Sequence, residues 1–293
     1  MNAIGEGWFS EISEMWPGQA ASLKVKSVLH KEKSNFQDII VFESETYGKV
    51  LVLDGVIQLT ERDEFAYQEM ITHVPLCSHP NPKRVCLIGG GDGGVIREVM
   101  RHECVEEIYM CEIDERVLEV SKAFFPKVSE KLINNPKLKL FHCDGAEFLK
   151  REQFKSGFFD VIIVDCSDPV GPAESLFGRD FYESAQAALN QGGVLCAQAE
   201  SMWLHLDIIA DMAAFISEIN FKNVEYSYTM IPTYPSGSIG FFVCRKGDDK
   251  SCSSQPRVLS EEASNNVTYY TPQIHCASFV LPKFAHKAIY KHL

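Results

Sequence analysis

The residues most suggestive of chemistry form a glycine-rich turn that carries a carboxylate. Positions 89–94 read Gly-Gly-Gly-Asp-Gly-Gly, directly after the apolar segment 84–88 and before a helical pattern. A strand, a glycine turn and a helix in this order open a nucleotide-binding βαβ unit. Asp92 is unusual there, because a carboxylate repels a pyrophosphate at close range. The turn therefore predicts a nucleoside ligand with a positive charge near the loop, rather than a dinucleotide.

An acidic residue follows each of four consecutive predicted strands, namely Asp92, Glu112, Asp144 and Asp165. In a doubly wound sheet, ligands bind beyond the carboxyl ends of the strands. One acid at such a place commonly caps the next helix, but four in succession are harder to explain by capping alone. We therefore predict that these acids share one ligand site.

The position of each acid suggests a role. Glu112 lies about 20 residues beyond the glycines, where an acid binds the ribose hydroxyls of a nucleoside, although it could instead cap a helix together with Asp114. Asp144 either binds an adenine amine or, with Gly145, simply turns the chain.

Asp165 and Asp168 are the strongest candidates for catalysis. They follow a continuous apolar strand, 159–164, and are only three residues apart. Two carboxylates leaving a buried strand belong where the cleft of such a sheet lies. The next segment, 170–177, has the glycine and proline content of a lid loop.

Other catalytic patterns are absent from the sequence. It has no HExxH motif, no P-loop lysine after the glycines and no GxSxG elbow. We interpret His205 as a packing or surface residue, and Cys166 as a thiol without an evident base. Trp8, Trp16 and Trp203 are expected in the core, although Trp16 could also line a cleft.

The elements that must position these residues alternate regularly from residue 83. Strands are predicted at 84–88, 107–111, 138–142, 160–164 and 194–197, and helices at 95–101, 115–125, 145–152, 179–189 and 205–219. This alternation predicts an α/β fold with a doubly wound parallel sheet. A late hairpin, 224–230 with 239–244, is expected to close the sheet antiparallel, and residues 247–258 to form a flexible surface loop.

The first part of the chain is different. Alternating segments at 23–28, 37–42 and 50–53, the Asp54-Gly55 turn and the strand 56–58 predict a small antiparallel sheet. A helix then begins near Asp63, with Asp63 or Thr60 as its cap. We therefore divide the chain into an N-terminal β-domain, residues 1–62, and a Rossmann-like catalytic domain, residues 63–293.

Composition limits the function further. The chain of 293 residues has a formal net charge of −12, which makes nucleic acid an unexpected partner and small cations plausible ones. Its ten cysteines include no CxxC pair, so we expect free thiols in a reducing, cytoplasmic setting and no structural metal. We expect no signal peptide and no membrane span.

Taken in order, the motifs resemble those of the spermidine synthases, the aminopropyltransferases of polyamine synthesis. The resemblance covers nearly the whole chain, and the order and spacing of its motifs make it specific. It departs at Cys166, where many members carry Ser. The matching segments are 67–69, 89–95 with 97–98, 111–114, 144–145, 165–173 and 231–237.

The resemblance implies a Rossmann-like methyltransferase fold behind an N-terminal β-domain, assembled as a homodimer. It implies decarboxylated S-adenosylmethionine as donor, a co-substrate rather than a cofactor, and putrescine as acceptor. Asp165 matches the catalytic base. Residues implied at the donor are Gln37, Gln68, Asp92, Glu112, Asp144 and Gly145, and at the acceptor Tyr67, Asp165, Asp168 and Tyr234.

The residues fit this chemistry. The donor's sulfonium leaves as a neutral thioether, so no metal is expected to activate the carbon. Putrescine is a dication at neutral pH, since alkylammonium pKa values lie near ~10, and one amine must lose a proton before it attacks. Asp165 can accept that proton. Asp92 can pair with the donor's terminal ammonium and disfavour the carboxylate of ordinary S-adenosylmethionine.

Three alternatives stay open at this point. Spermine synthase or putrescine N-methyltransferase would share the fold and many motifs. The choice of acceptor depends on the length of the cleft, which the sequence does not show. A non-catalytic homologue could bind nucleosides only, although the intact acids argue against it. An NAD-linked oxidoreductase would use the glycines but leave the aspartates unexplained.

Overall fold

The computed structural model describes residues 4–247 and 250–291, which form two β-sheets with helices around the second. The first sheet is six-stranded and antiparallel, with neighbours in chain order. Its strands are β1 (Ile4–Gly5), β2 (Trp8–Glu11), β3 (Ala21–Lys33), β4 (Asp38–Ser44), β5 (Lys49–Leu53) and β6 (Val56–Thr60).

The predicted hairpin joins β5 to β6. Asp54 and Gly55 both have positive φ, +47° and +85°, as a two-residue type I′ turn requires. Strand β3 is longer than the predicted 23–28 because it pairs with β4 as far as Lys33. Strands β1 and β2 were not predicted.

The second sheet has seven strands in the order β12-β13-β11-β10-β7-β8-β9. Strands β7 to β11 run parallel. The chain passes from β7 outward to β9 and then returns to the other side of β7 with β10, so a topological switch point lies between β7 and β10. The strands are β7 (Arg84–Gly89), β8 (Glu107–Cys111), β9 (Leu138–Phe141), β10 (Phe159–Asp165), β11 (Leu189–Gln198), β12 (Asn223–Met230) and β13 (Ser238–Arg245). The fold is Rossmann-like, as predicted.

The late hairpin was predicted only in part. Strand β13 inserts between β11 and β12 and runs antiparallel to both. Strand β12 therefore runs in the same direction as the parallel strands, and β13 alone is reversed.

Nine α-helices occur in the described chain: α1 (Glu64–Ser78), α2 (Gly94–Val99), α3 (Glu115–Phe124), α4 (Gly145–Leu149), α5 (Arg179–Ala188), α6 (Leu206–Glu218), α7 (Glu261–Asn265), α8 (Pro272–Ala277) and α9 (Lys283–Ile289). The helix predicted over 145–152 ends early and is followed by a short 3₁₀ turn, Glu152–Phe154. Helices α7 to α9 were not predicted, because each is too short to show a clear apolar period. Within the described parts of the chain, no helix combines the length and apolar character needed to cross a bilayer.

Both faces of the parallel sheet are buried, which explains the nearly continuous apolar strands. Alternate residues of one strand pack on opposite faces: Ile162 and Val164 belong to one core cluster, and Val161 and Ile163 to the other. All four side chains are almost completely buried.

Two local predictions were right only in part. Asp63 lies at the N-cap position of α1, but its carboxylate accepts hydrogen bonds from Thr60 Oγ1 (2.6 Å) and from the Thr233 backbone N (3.0 Å) instead of capping the helix. In the segment predicted as a flexible loop, Cys252 is buried and its N donates to Glu225 (2.6 Å). Positions 248 and 249 of that loop lie outside the described residues.

Candidate active site

The glycine turn and the catalytic candidate meet at the switch point. Asp165, at the end of β10, is the register partner of Gly89 at the end of β7. The Gly90 N donates to the Asp165 carbonyl oxygen (3.0 Å). Gly89 has a φ of +79°, and a Cβ there would lie 2.0 Å from that carbonyl oxygen. Glycine is therefore required for the two strand ends to meet.

One cavity opens at this point and gathers the predicted residues. Of the ten candidates, Gln68 alone does not line it. Gln68 instead lies one contact behind the wall and donates to the Asp92 Oδ2 (2.6 Å). Lining candidates are Gln37, Tyr67, Asp92, Glu112, Asp144, Gly145, Asp165, Asp168 and Tyr234.

Helix α1 places the Tyr67 side chain beside the end of β10. Tyr67 is buried and its hydroxyl donates to the Asp165 Oδ1 (2.7 Å). The ring of Tyr67 lies 5.7 Å from that of Tyr234, whose hydroxyl donates to the Gln58 carbonyl oxygen (2.7 Å). These contacts fix both rings beside the carboxylate of Asp165.

A salt bridge fixes α1 against α2. The Arg97 guanidinium donates two 2.8 Å hydrogen bonds to the Glu64 carboxylate. Both side chains are mostly buried. The two parallel hydrogen bonds fix the relative orientation of the guanidinium and the carboxylate. This salt bridge holds Gln68, on α1, against Asp92, whose Oδ1 also accepts from the Gly94 N (2.7 Å).

The ribose candidate is held by the backbone. Glu112 is nearly buried, and its Oε1 accepts from the Asp114 N (2.9 Å). Asp114 caps α3 through the Arg116 N (3.1 Å), so capping belongs to Asp114. The Asp114 Oδ2 also accepts from Gln37 Nε2 (2.9 Å), which ties the N-terminal sheet to this side of the cavity.

Asp144 both caps helix α4 and lines the cavity. Its Oδ1 accepts from the Ala146 N (2.7 Å) and the Glu147 N (3.3 Å), which caps α4. Both bonds fall on the same oxygen. The two interpretations left open for this residue are therefore compatible.

A fifth acid, which was not predicted, lies at the end of a strand. Glu200 follows β11, lines the cavity and is almost fully buried. It has a φ of +60°, and its carbonyl oxygen accepts from the Tyr226 hydroxyl and the Gly240 N, both at 2.8 Å. The rule that pointed to the other four acids would have found Glu200 if applied to β11.

His205 and Glu11 were also missed. His205 is not a plain packing residue: its Nδ1 lies 2.7 Å from the Glu200 carboxylate, its Nε2 lies 2.9 Å from the Met15 carbonyl oxygen, and it lines the cavity. Although desolvation lowers it, the hydrogen bond to Glu200 raises the pKa of His205 overall. Glu11 is fully buried, and within residues 4–247 and 250–291 its carboxylate oxygens accept no hydrogen bond of ordinary geometry. No motif in the sequence distinguishes Glu11 from a surface residue.

The tryptophans differ from the expectation that all three lie in the core. Trp16 is 4% exposed and lines the cavity, as the alternative interpretation allowed. Trp8 and Trp203 are 46% and 62% exposed, so their predicted burial was wrong.

The acids of the cavity repel one another and are poorly hydrated. Desolvation, with the charge of Asp165, raises the pKa of Asp92 to about 8. Desolvation raises the pKa of Glu112 to about 7 and, with the charge of Glu200, that of Asp168 to about 7. Desolvation raises the pKa of Asp165 to about 6, against the opposing effect of the Tyr67 hydrogen bond. A cationic ligand would relieve this repulsion and favour the ionised form of these carboxylates.

Within residues 4–247 and 250–291, no three or more His, Cys, Asp or Glu side chains are arranged to hold a metal ion.

Comparison with known families gives two matches. Residues 64–256 match the model of the spermine/spermidine synthase domain, and residues 7–61 match that of the spermidine synthase tetramerisation domain. The first match alone covers more than half of the chain.

Curated relatives match over nearly the full length. The spermidine synthase of Dictyostelium discoideum is 55% identical over 289 residues, which is 99% of both chains. The spermidine synthase of Schizosaccharomyces pombe is also 55% identical, over 98% of this chain and 95% of its own.

Solved structures share the fold. A spermidine synthase in complex with the transition-state analogue AdoDATO superposes with a TM-score of 0.87 at 33% identity, covering 99% of this chain and 97% of its own. The spermidine synthase from Thermotoga maritima gives a TM-score of 0.85 at 33% identity, covering 97% of this chain and 94% of its own.

Proposed function

This chain belongs to the spermine/spermidine synthase family, and we propose that it transfers an aminopropyl group from decarboxylated S-adenosylmethionine to putrescine. The products are spermidine and 5′-methylthioadenosine, and the enzyme is an aminopropyltransferase. The observation that carries this assignment is the acid-lined cavity at the switch point, where Asp92 and Asp165 lie at the ends of adjacent strands. Both substrates are cations, and the cavity is built to attract cations.

We propose that Asp92 selects the donor. The carboxylate lies within the glycine turn and is fixed by Gln68 and Gly94. The decarboxylated donor presents an ammonium without a carboxylate, so it can pair with Asp92. Ordinary S-adenosylmethionine would bring a second carboxylate to the same place, which is unfavourable by several kcal/mol when like charges meet at an interface.

The remaining donor contacts lie along the same sheet edge. Glu112 is proposed to bind the ribose hydroxyls, and Asp144 with Gly145 to bind the adenine amine. Gln37 acts from the N-terminal sheet, through its contact with Asp114. No further cofactor is expected, because the donor is itself a co-substrate.

Asp165 is proposed as the general base. An ammonium of putrescine, with an ordinary pKa near ~10, must transfer a proton before its nitrogen can attack. Desolvation raises the pKa of Asp165 to about 6. This brings the pKa of the base closer to that of the ammonium and makes the proton transfer less unfavourable. The Tyr67 hydroxyl orients the carboxylate at 2.7 Å, and Asp168 and Tyr234 position the amines.

The bond changes follow from this arrangement. The amine nitrogen attacks the aminopropyl carbon next to the sulfonium, the carbon–sulfur bond breaks, and its electron pair returns to sulfur. A neutral thioether leaves as 5′-methylthioadenosine. Holding nitrogen, carbon and sulfur in line supplies much of the acceleration, since well-oriented groups can lower the barrier by about 7–11 kcal/mol.

A product assay tests the assignment. The protein is incubated with either the decarboxylated or the ordinary donor and with either putrescine or spermidine, and the amines are identified by mass spectrometry. Spermidine with stoichiometric methylthioadenosine is expected from the decarboxylated donor and putrescine. Spermine or N-methylputrescine as the main product would overturn it in favour of spermine synthase or an N-methyltransferase. Methylthioadenosine from no pairing would indicate a non-catalytic homologue, and nicotinamide dinucleotide binding would revive the oxidoreductase.

The matched tetramerisation domain supports self-association through the N-terminal domain. That domain exposes apolar side chains, among them Val28 at 50% and Phe36 at 41%. The homodimer implied by the family resemblance remains a prediction, and light scattering after gel filtration separates dimer from tetramer.

The ten cysteines are free in the structure, which supports a reducing compartment such as the cytoplasm. We propose that location, and imaging of the tagged protein in cells tests it.

A further inference from the structure

Two cysteines meet at the wall of the cavity. Cys111 ends β8, and Cys143 lies two residues beyond the end of β9, the neighbouring strand. Their Sγ atoms are 3.4 Å apart, and the Cys111 thiol donates to the Cys143 carbonyl oxygen (3.0 Å). Both residues line the cavity. The pair is thus close, fixed and next to a ligand site.

The two sulfurs lie in different surroundings. Cys111 is 2% exposed, and burial raises the pKa of its thiol. Cys143 is only half-buried, and an Arg151 guanidinium nitrogen lies 3.4 Å from its Sγ. The thiolate is the form of a cysteine that attacks an oxidant. Because Cys143 is the more exposed of the two, it is placed to attack an oxidant in the cavity, and Cys111 to attack the product.

We propose that peroxides oxidise Cys111 and Cys143 to a reversible disulfide. This disulfide disables the nucleoside end of the cavity, which is the part lined by Glu112 and Asp144. The Cys143 thiolate attacks one peroxide oxygen, the O–O bond breaks, and the departing hydroxide takes a proton to become water. Cys111 then attacks the sulfur of the resulting sulfenic acid, the S–O bond breaks, and its proton leaves with the second water. The two sulfurs lose two electrons, and the peroxide gains them.

Closing the bond shifts atoms that lie next to the site. A disulfide is about 2.0 Å long, so the sulfurs must approach by about 1.4 Å. Cys111 directly precedes Glu112, and Cys143 directly precedes Asp144. Displacements of about 1 Å at positioning residues can lower rates by about 10²-fold. This consequence rests on the proposed function, whereas disulfide formation does not.

The first test measures the chemistry alone. The reduced full-length protein is treated with hydrogen peroxide, and intact mass and peptide mapping are recorded before and after dithiothreitol. We expect the loss of two hydrogens, a peptide linking Cys111 to Cys143, and full reversal by the reductant. A sulfinic acid at Cys143 without the link, or a link between other cysteines, would overturn the proposal.

The second test measures the consequence. Affinity for methylthioadenosine is determined by calorimetry for the reduced and oxidised protein, and we expect a loss on the order of tenfold or more. Cys143→Ser and Cys111→Ser, each compared with its own untreated form, should lose this sensitivity. Cys104→Ser and Cys276→Ser serve as controls, since both cysteines are half-buried outside the cavity, and should keep it.

Equal sensitivity of Cys143→Ser and the unaltered protein would contradict the proposal. If the product assay finds no aminopropyl transfer while the disulfide still forms and weakens nucleoside binding, the proposed function fails and the dithiol site stands. Normal nucleoside affinity with the disulfide fully formed would overturn its regulatory consequence.

Discussion

The Tyr67 hydroxyl donates a 2.7 Å hydrogen bond to the Asp165 carboxylate, and joins residues 98 positions apart. It links helix α1, the first helix after the N-terminal sheet, to the end of a central strand. The bond stabilises the ionised form of Asp165, which is the form that can accept a proton. Removal of the Tyr67 hydroxyl oxygen should therefore change the pH dependence of the reaction rate.

Tyr67→Phe should move the acid limb of the pH–rate profile. The Tyr67 hydrogen bond lowers the pKa of Asp165 against the effect of desolvation, so its removal should raise that pKa above about 6. Activity would then fall at a higher pH as the solution is acidified. The measurement is kcat/KM against pH. Tyr234→Phe is the matched control, because its hydroxyl bonds to the Gln58 carbonyl oxygen, and an equal shift in both variants would contradict the prediction.

Asp165→Asn should separate binding from turnover. Loss of a general base typically costs about 10²–10⁴-fold in rate, while the donor contacts at the other strand ends remain. We expect donor affinity within about threefold of the unaltered protein, by calorimetry. Asp180→Asn, at an exposed position of α5, controls for the substitution itself. Near-normal turnover in Asp165→Asn would remove this residue as the base.

Asp92→Asn should reduce discrimination between donors. Removing the carboxylate deletes both the pairing with the ammonium and the repulsion of a second carboxylate, so the ratio of the two affinities should fall by about tenfold or more. Both dissociation constants are measured by calorimetry. Asp144→Asn provides the comparison, because the adenine end is common to both donors and their affinities should change together. An unchanged ratio in Asp92→Asn would exclude Asp92 as the selecting residue.

Glu11→Gln should flatten the pH dependence of stability. Burial raises the pKa of Glu11 from 4.5 to about 8, so between these values the folded state holds a proton that the unfolded chain has lost. The free energy of unfolding therefore decreases as pH rises through this window. We expect the variant to gain a few °C in Tm relative to the unaltered protein at pH 8, on the order of 2–4 °C per kcal/mol, and little at pH 5. Glu14→Gln, exposed nearby, should show no such difference, and the same Tm gain at both pH values would refute the mechanism.

Gly89→Ala should be far more costly than Gly192→Ala. Both glycines have a φ of +79°, so the backbone strain of about 1–2 kcal/mol is shared. A Cβ at Gly89 would lie 2.0 Å from the Asp165 carbonyl oxygen, whereas nothing lies within 4 Å of one at Gly192. Urea unfolding should show the additional loss only for Gly89→Ala, together with lost activity. Equal losses in the two variants would mean that the strand ends can separate cheaply.

Between residues 84 and 198, the sequence alone determined the order of strands and α-helices and four of the five acids that follow the strands, whereas β1, β2 and α7 to α9 were not predicted. Apolar runs interrupted by glycine, proline and acids indicate the strands of a parallel sheet, so β7 to β10 were placed within one residue at each end. Strand β11 begins five residues before the predicted 194. The ligand site followed from a general property of such sheets, that strand ends meet at one edge. Asp92 carried information about ligand charge because a carboxylate close to a phosphate is unfavourable wherever it lies.

Tertiary structure decided which side chains complete the site. His205 lines the cavity from the start of α6, and Glu11 is buried in a strand of the first sheet, and neither belongs to a local pattern. Trp16 and Trp203 are the same residue type, yet one lines the cavity and the other is 62% exposed. The contact between Cys111 and Cys143 exists only because β8 and β9 are neighbours. Such outcomes depend on contacts between distant segments, and only the packed chain brings those segments together.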